Sequence, residues 1–290
     1  MAVTEPLRRR FRLSVALPAS LLSEVRSLRD KTVKAGFVGR ALAVFRVDDV
    51  FIYRDLYGLR DQDREASLLA TLLSYMETPQ YLRKRLFPLS KPLSYAGLLP
   101  PLRTPHHPTA SRSDMVEDGE FREGVVVSCR GSLSLVDVGL EKPIKVHKRL
   151  RPGLRVTVRL SKKSGSVYGE HVSRTVPRLY WGYRVIDFDK PLGVLVKTCG
   201  DALVIATSKY GDSIVDVSER LAQSLRRSSR VLVLFGSPRE GLRDILSRES
   251  LELSRVTDYV VNTIPHQGTE TVRTEEALYA TLAILNLLAP

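Results

Sequence analysis

The 290-residue chain carries 45 Lys and Arg against 32 Asp and Glu, a formal charge of +13, with 43% apolar and 27% charged residues. This excludes a disordered or collagen-like polypeptide, and the length accommodates about two domains of roughly 100–200 residues, each able to bury a core without covalent staples. The only two cysteines, Cys129 and Cys199, are far apart in the chain, which excludes a Cys-rich zinc site and points to a reducing, cytoplasmic setting rather than a disulfide framework. No apolar run reaches the roughly 18–20 residues of a membrane span. So large an excess of cation directs attention to a polyanion, nucleic acid first, because Lys and Arg release counterions from phosphate backbones.

The leader Arg8, Arg9, Arg10 and Arg12 followed by LSVALPASLL imitates a signal peptide, but Pro18 interrupts the apolar stretch and a charged amphipathic segment follows. The better reading is a first core strand with a basic leader. From Phe11 to Tyr53 the pattern is strand, long helix over LLSEVRSLRDKTVKAGFVGRALAVF, then the β-branched strand VDDVFIYRD: a βαβ unit. Glu65 to Pro79 predicts a second amphipathic helix, followed by the basic patch Arg83, Lys84 and Arg85. Pro88 to Pro108 reads as an irregular proline-rich linker.

From Phe121 to Ser173 the chain turns into short strands, REGVVVSC, SLSLVDVG, LRVTVRL and SVYGEHVS, separated by Gly131, Gly139, Pro152-Gly153 and Ser164-Gly165. Such dense turn chemistry predicts a small all-β barrel. Lys142 to Lys163 holds nine Lys or Arg and no Asp or Glu. An ordinary solvated face mixes its signs, so this basic edge favours contact with RNA or DNA over mere solubility. Phe121 and Tyr168 are its only aromatic residues, which leaves backbone electrostatics dominant over base stacking.

After Pro177 the α/β pattern returns: YWGYRVIDF, LGVLVKTC and DALVIATS as apolar strands, the helix VDVSERLAQSLRRSS, the strand RVLVLFG, the helix REGLRDILSRE, the strand TDYVVNTI and the helix RTEEALYATLAILNLL. Apolar strands alternating with helices predict a mostly parallel sheet covered on both faces. Residues 1–120 and 177–290 then form one discontinuous α/β domain, with the barrel of residues 121–176 inserted into it.

Three loops follow predicted strands, where open α/β sheets bind ligands. They are Ala206–Asp212 with Gly211, Gly236–Leu242, and Asn262–Glu276, in which Pro265 and Gly268 fix an irregular backbone, Thr274 caps the last helix and Glu275 and Glu276 fill its first turn. Each alone is more often mere turn chemistry than a cofactor cradle. There is no GxxxxGK[ST] phosphate loop, no GxGxxG, no GxSxG, and no metal-ligand spacing among the five histidines. NTP hydrolysis, dinucleotide redox chemistry, serine hydrolysis and a metal site lose their support.

In order, IATSKYGDS, VLFGSPREGL and VNTIPHQGTETVRTEEAL resemble the three cofactor motifs of the SPOUT superfamily of S-adenosylmethionine-dependent RNA methyltransferases, whose C-terminal trefoil knot holds the methyl donor. YMETPQYLRKRLFP, LSYAGLLPPLRTPHHP, FREGVVV and YWGYRV resemble in particular the branch with an oligonucleotide-binding (OB)-like domain inserted, which is associated with uridine N3 methylation. The resemblance spans roughly Phe11 to Leu288.

The resemblance implies a donor site in which Gly236 and Gly241 admit the backbone to the donor, with Ser237 beside them. Asn262, Ile264, Gln267, Gly268 and Thr269 would enclose its adenine and methionine parts. Thr207, Ser208 and Gly211 would close the site, with Thr274 and Ala277 on the last helix. A bulky side chain at Gly268 should then fill the donor loop. Arg273 or Arg239 would stabilise an anionic uracil ring, Glu275 or Glu276 would act as base, and Arg273 is equally readable as a carboxylate or helix-end contact. Pro238 stands where ribose 2′-O-methylating relatives typically carry Glu, which weakens a ribose target. Homodimerisation through the C-terminal helix is the family expectation. RNA, most plausibly ribosomal, would be held by Arg8, Arg9, Arg10 and Arg12 and by Lys142, Lys145, Lys148, Arg149, Arg151, Arg155 and Arg159. The rivals are a non-catalytic RNA-binding assembly factor that keeps the knot, and a DNA-binding OB protein.

Overall fold

The first apolar run is strand β1 (Arg12–Pro18), whose residues from Val15 to Leu17 have no solvent exposure. It opens a computed structural model that describes residues 5–163 and 165–289; the expected domain bounds at residues 1 and 290, and Ser164 of the expected Ser164-Gly165 turn, lie outside the described residues. A 3₁₀ turn (Ala19–Leu22) precedes helix α1 (Leu28–Val44), so the helix starts later than its apolar spacing suggested. The start is set by Ser27, whose hydroxyl accepts the Asp30 N–H at 3.0 Å. Strand β2 (Asp49–Tyr53) and helix α2 (Asp63–Glu77) follow, and the basic patch Arg83–Arg85 lies on a short helix α3 (Gln80–Leu86). The proline-rich segment contains only 3₁₀ turns at Lys91–Leu93 and Ala96–Leu98 before the barrel.

The barrel strands are β3 (Phe121–Arg130), β4 (Leu133–Asp137), β5 (Ile144–Val146), β6 (Arg155–Lys163) and β7 (Ser166–Val172). They close in the order β3-β4-β5-β7-β6, with β5 and β7 parallel and the other neighbours antiparallel. This is the expected OB-like Greek-key barrel. Strand β5 lies inside the basic run, where its Ile-Lys-Val alternation was too short to stand out. Inward residues Val126, Val136, Val146, Val158 and Leu160 fill the interior.

Then come β8 (Arg184–Asp187), α4 (Leu192–Thr198), β9 (Leu203–Ser213), α5 (Ile214–Arg227), β10 (Arg230–Leu234), α6 (Leu242–Ser247), α7 (Leu253–Val256), β11 (Tyr259–Asn262) and α8 (Thr274–Leu288). The segment LGVLVKTC is therefore a helix, not a strand. Its buried Leu192, Leu195, Val196 and Cys199 recur at i, i+3, i+4 and i+7, a helical period that the continuous apolarity masked. REGLRDILSRE likewise yields only the six-residue α6.

Strands from both ends of the chain form one six-stranded, all-parallel sheet in the order β11-β9-β10-β1-β2-β8. The chain divides into two compact units. One contains the sheet and comprises Arg9–Met76, Pro92–Pro100 and Tyr183 onward; the other contains the barrel, with the described residues up to Arg8, Glu77–Lys91 and Pro101–Gly182. The barrel's unit thus takes in more chain than the five strands themselves.

Candidate functional site

A cavity of about 540 Å³ opens at the carboxyl ends of β9, β10 and β11. Ligands of α/β sheets collect at this edge, because strand-to-helix loops converge there with their backbone groups free. The first loop is not a strand-to-helix connection but an excursion within β9. Ala206 pairs with Val260 and Asp212 with Val261, so Thr207–Gly211 are extruded between two consecutive partners. The Thr207 hydroxyl donates to Leu234 O at 2.9 Å, and the Asn262 amide donates to Lys209 O at 3.1 Å. A Cβ on Gly211 would stand 2.5 Å from Val260 O, so the excursion requires glycine there. Thr207 and Ser208 line the cavity, whereas Gly211 lines a second one beside it.

The second loop, after β10, is tied by Ser237. Its hydroxyl accepts from the backbone of Arg239 at 3.3 Å and of Glu240 at 3.1 Å, while its N–H donates to Glu240 O at 3.0 Å. A Cβ on Gly236 would lie 3.0 Å from Glu240 O. Gly236, Ser237 and Gly241 all face the cavity. In the third loop the Asn262 carboxamide oxygen accepts from Ile264 N–H at 3.0 Å, and the Gln267 amide donates to Thr269 O and Glu270 O at 2.8 and 3.1 Å. Asn262, Ile264 and Gln267 line the cavity. Gly268 and Thr269 lie outside this lining, and a Cβ on Gly268 would meet no protein atom within 4 Å.

Helix α8 completes the wall with Thr274 and Ala277. Thr274 is its first residue rather than its cap: Arg273 is the N-cap, and the Thr274 hydroxyl donates to Gly236 O at 3.2 Å, joining the helix to the second loop. In all three loops, then, hydroxyl and amide side chains bond to backbone and fix the loop conformations. The rest of the lining includes backbone groups, Leu242 and Ile264, and charges of both signs, Arg239 and Arg243 with Glu240 and Asp244. A volume of this size, a glycine-opened backbone and mixed charge fit a nucleoside joined to a zwitterionic amino acid, the form of S-adenosylmethionine.

Of the four residues expected to act in catalysis, only Arg239, which is exposed, lines the cavity. Arg273 gives its backbone N–H to the Glu276 carboxylate at 2.9 Å. Glu275 is ion-paired at 3.0 Å with Lys34, a side chain only 7% exposed that also meets Glu24. Lys209, Tyr210 and Arg243 line the cavity without having been singled out from the sequence. The first two sit inside the first motif, and exposed charged and aromatic types in a glycine-containing loop were the available cue. Among the described residues no group of three or more His, Cys, Asp or Glu is arranged to hold a metal ion, and no helix is long and apolar enough to cross a membrane.

In the barrel's unit the basic residues divide into two populations. Lys142, Lys145, Lys148, Arg149, Arg151 and Arg159 are exposed. The Lys148 ammonium lies 3.0 Å from His171 Nδ1; partial burial first, then this charge, lowers the His171 pKa. Arg155 instead turns inward, bonding Glu77 and Glu123, each at 2.6 Å. Glu77 also meets Arg174 at 2.6 Å and His106 at 3.1 Å, and Glu123 accepts from Thr157 and the Trp181 indole. Burial alone would raise the Glu77 carboxyl, but Arg155, Arg174 and His106 outweigh it and hold it well below the ordinary carboxylate range. The expected basic leader is similarly engaged. Arg8 donates to Pro177 O and Arg174 O in this unit. In the sheet's unit Arg9 bonds Ala289 O and Asn286, and Arg12 pairs with Asp49. Arg10 is exposed.

Comparison with known proteins gives a consistent result. Residues 12–285 match the model of the family described as "Putative RNA methyltransferase". A human 28S rRNA (uridine-N(3))-methyltransferase is 37% identical, over 98% of this chain and 80% of its own length. Its mouse counterpart is 38% identical, over 96% and 76%. An uncharacterized protein of Halobacterium salinarum is 36% identical, over 94% of this chain and 98% of its own.

Proposed function

Because this chain belongs to the RNA methyltransferase family, to which both the family match and its near-full-length relatives assign it, we propose that it methylates N3 of a uridine in ribosomal RNA with S-adenosylmethionine as donor. The observation that carries the reading is the convergence of three side-chain-braced loops on one cavity at the carboxyl edge of the sheet. The uridine-N3 names of the human and mouse relatives supply the target atom. The excursion within β9 and the loops after β10 and β11, with β9 in the middle of those three strands, are the segments that a C-terminal trefoil knot would use.

Bound in this cavity, S-adenosylmethionine would supply a sulfonium methyl group: the bond to N3 would form in line as the methyl–sulfur bond breaks, leaving S-adenosylhomocysteine, with the N3 proton passing to water. Holding the two reactants in alignment provides much of the acceleration. Arg239, on the cavity wall, stabilises the negative charge left on the uracil ring. Glu275, through its bond to Lys34, fixes the first turn of α8 and so the position of Thr274. The exposed cations of the barrel hold the RNA backbone. A homodimer uses α8, where Leu287 is 79% exposed, and the enzyme works in the cytoplasm.

The test is incubation of the protein with S-adenosylmethionine and ribosomal RNA, followed by nucleoside mass spectrometry. The expected product is 3-methyluridine at a defined position. Donor binding without any methylated nucleoside would instead support an RNA-binding assembly factor.

A further inference from the structure

The second cavity, about 920 Å³, lies beside the first in the sheet's unit. Two residues line both, Tyr210 and Arg243. An acceptor nucleotide must place its reacting nitrogen within about 3–3.5 Å of the transferred methyl carbon, so a group that binds the base belongs on the rim of the first cavity. The boundary between the two spaces carries an aromatic ring beside cations. Tyr210 is 76% exposed within the five-residue excursion of β9, which leaves its ring open to a stacking partner. The backbone that carries it is braced: its own N–H donates to the Ser208 hydroxyl at 3.2 Å and the preceding carbonyl accepts from Asn262, while the Lys209 ammonium donates to Glu270 O at 3.3 Å. That ammonium also lies 5.1 Å from the Tyr210 ring centroid, which puts a positive charge beside the ring.

We propose that, at the boundary between the two cavities, Tyr210 stacks on the acceptor base and Arg243 holds the flanking phosphate; the carboxylates Asp212, Glu252 and Asp258 of the second cavity keep the RNA backbone on the Arg243 side. Tyr210 thus favours an unpaired or flipped base by its ring face, without discriminating among bases, and neighbouring Lys209 and Arg243 offset the charge of the phosphate and of the ring once its proton is lost. The proposal rests on the methyltransferase reading for its purpose, but the base-binding surface is a separate property.

Two measurements separate them. In methyl transfer to ribosomal RNA at saturating donor, Tyr210→Ala should lower kcat/KM for RNA roughly 10- to 100-fold, the range of losing one base–aromatic stack, while Tyr210→Phe and Tyr210→Trp stay within about threefold of wild type. Donor affinity by calorimetry should change less than about threefold in all three, and Arg243→Gln should raise KM for RNA more than it lowers kcat. A wild-type rate for Tyr210→Ala, or equal losses in donor binding and transfer, overturns the proposal. In the second, a short oligouridylate bearing one 5-iodouridine is irradiated with the wild-type protein and the adduct is mapped by peptide mass spectrometry. Attachment at Tyr210 supports the base site even if no RNA is methylated, which would remove only the enzymatic reading. Attachment solely within the barrel strands contradicts it.

Discussion

The cavity loops of the sheet's unit and the interior of the barrel's unit use polar side chains in opposite ways. Around the cavity, neutral hydroxyls and amides bond to backbone: Thr207 to Leu234, Ser237 to Arg239 and Glu240, Thr274 to Gly236. Within the barrel's unit, full charges are buried against one another, Glu77 and Glu123 against Arg155 and Arg174. Loss of one neutral brace leaves a carbonyl that water or a small shift can satisfy. Loss of one buried charge leaves its partner uncompensated. Substitutions should therefore perturb ligand binding at the first place and folding at the second.

The largest effect is expected at Glu77. Glu77→Ala leaves Arg155 and Arg174 without their shared carboxylate and should cost about 3–5 kcal/mol, read by urea unfolding; a loss below about 1 kcal/mol would erase the contrast. Because the folded Glu77 carboxyl titrates below its unfolded value, its stabilisation is fully present above about pH 4.5 and disappears as the pH falls further. The wild-type protein should lose stability in that acid range, and Glu77→Ala should lose less there.

Gly182 offers a steric version of the same test. Its φ is +76°, and a Cβ would come within 2.5 Å of the Glu77 carboxylate and clash with His106. Gly182→Ala should cost about 1–3 kcal/mol of stability by thermal unfolding, without changing donor affinity once folded.

Around the cavity, Thr274→Val removes one hydroxyl brace and should cost about 0.5–1.5 kcal/mol, read as a several-fold weaker donor with folding nearly intact. Gly268→Val, which enters open space, should leave donor affinity within about twofold. On the barrel, replacing Lys145, Lys148 and Arg149 together with Gln should lower the slope of log affinity against log salt by about 2–3 in RNA binding, with little effect on stability. An unchanged slope would move the RNA contact off this face.

Legibility in the sequence followed the same division. The parallel sheet, the barrel and the three loops could be read because each depends on local pattern: apolar runs, turn glycines and motif order. LGVLVKTC misled because a fully apolar run conceals its period, and ATSKYGD misled because only the register of β9 against β11 reveals an excursion rather than a turn. For the basic residues, sequence supplies charge but not partner. Nothing local distinguishes Arg155, whose carboxylates lie 32 and 78 residues away, from exposed Arg159 four positions later. The same limit hid the engagement of Glu275 by Lys34.

The most direct test of the donor cavity is calorimetric titration of S-adenosylmethionine into the wild-type protein and into Gly236→Val, whose side chain would press on the second loop's backbone. Saturable binding near one site per chain, weakened at least about tenfold by Gly236→Val while the circular dichroism spectrum and RNA affinity are kept, is the predicted result. Equal affinity in the two proteins, or no binding by folded wild type, would contradict the placement of the methyl donor between these loops.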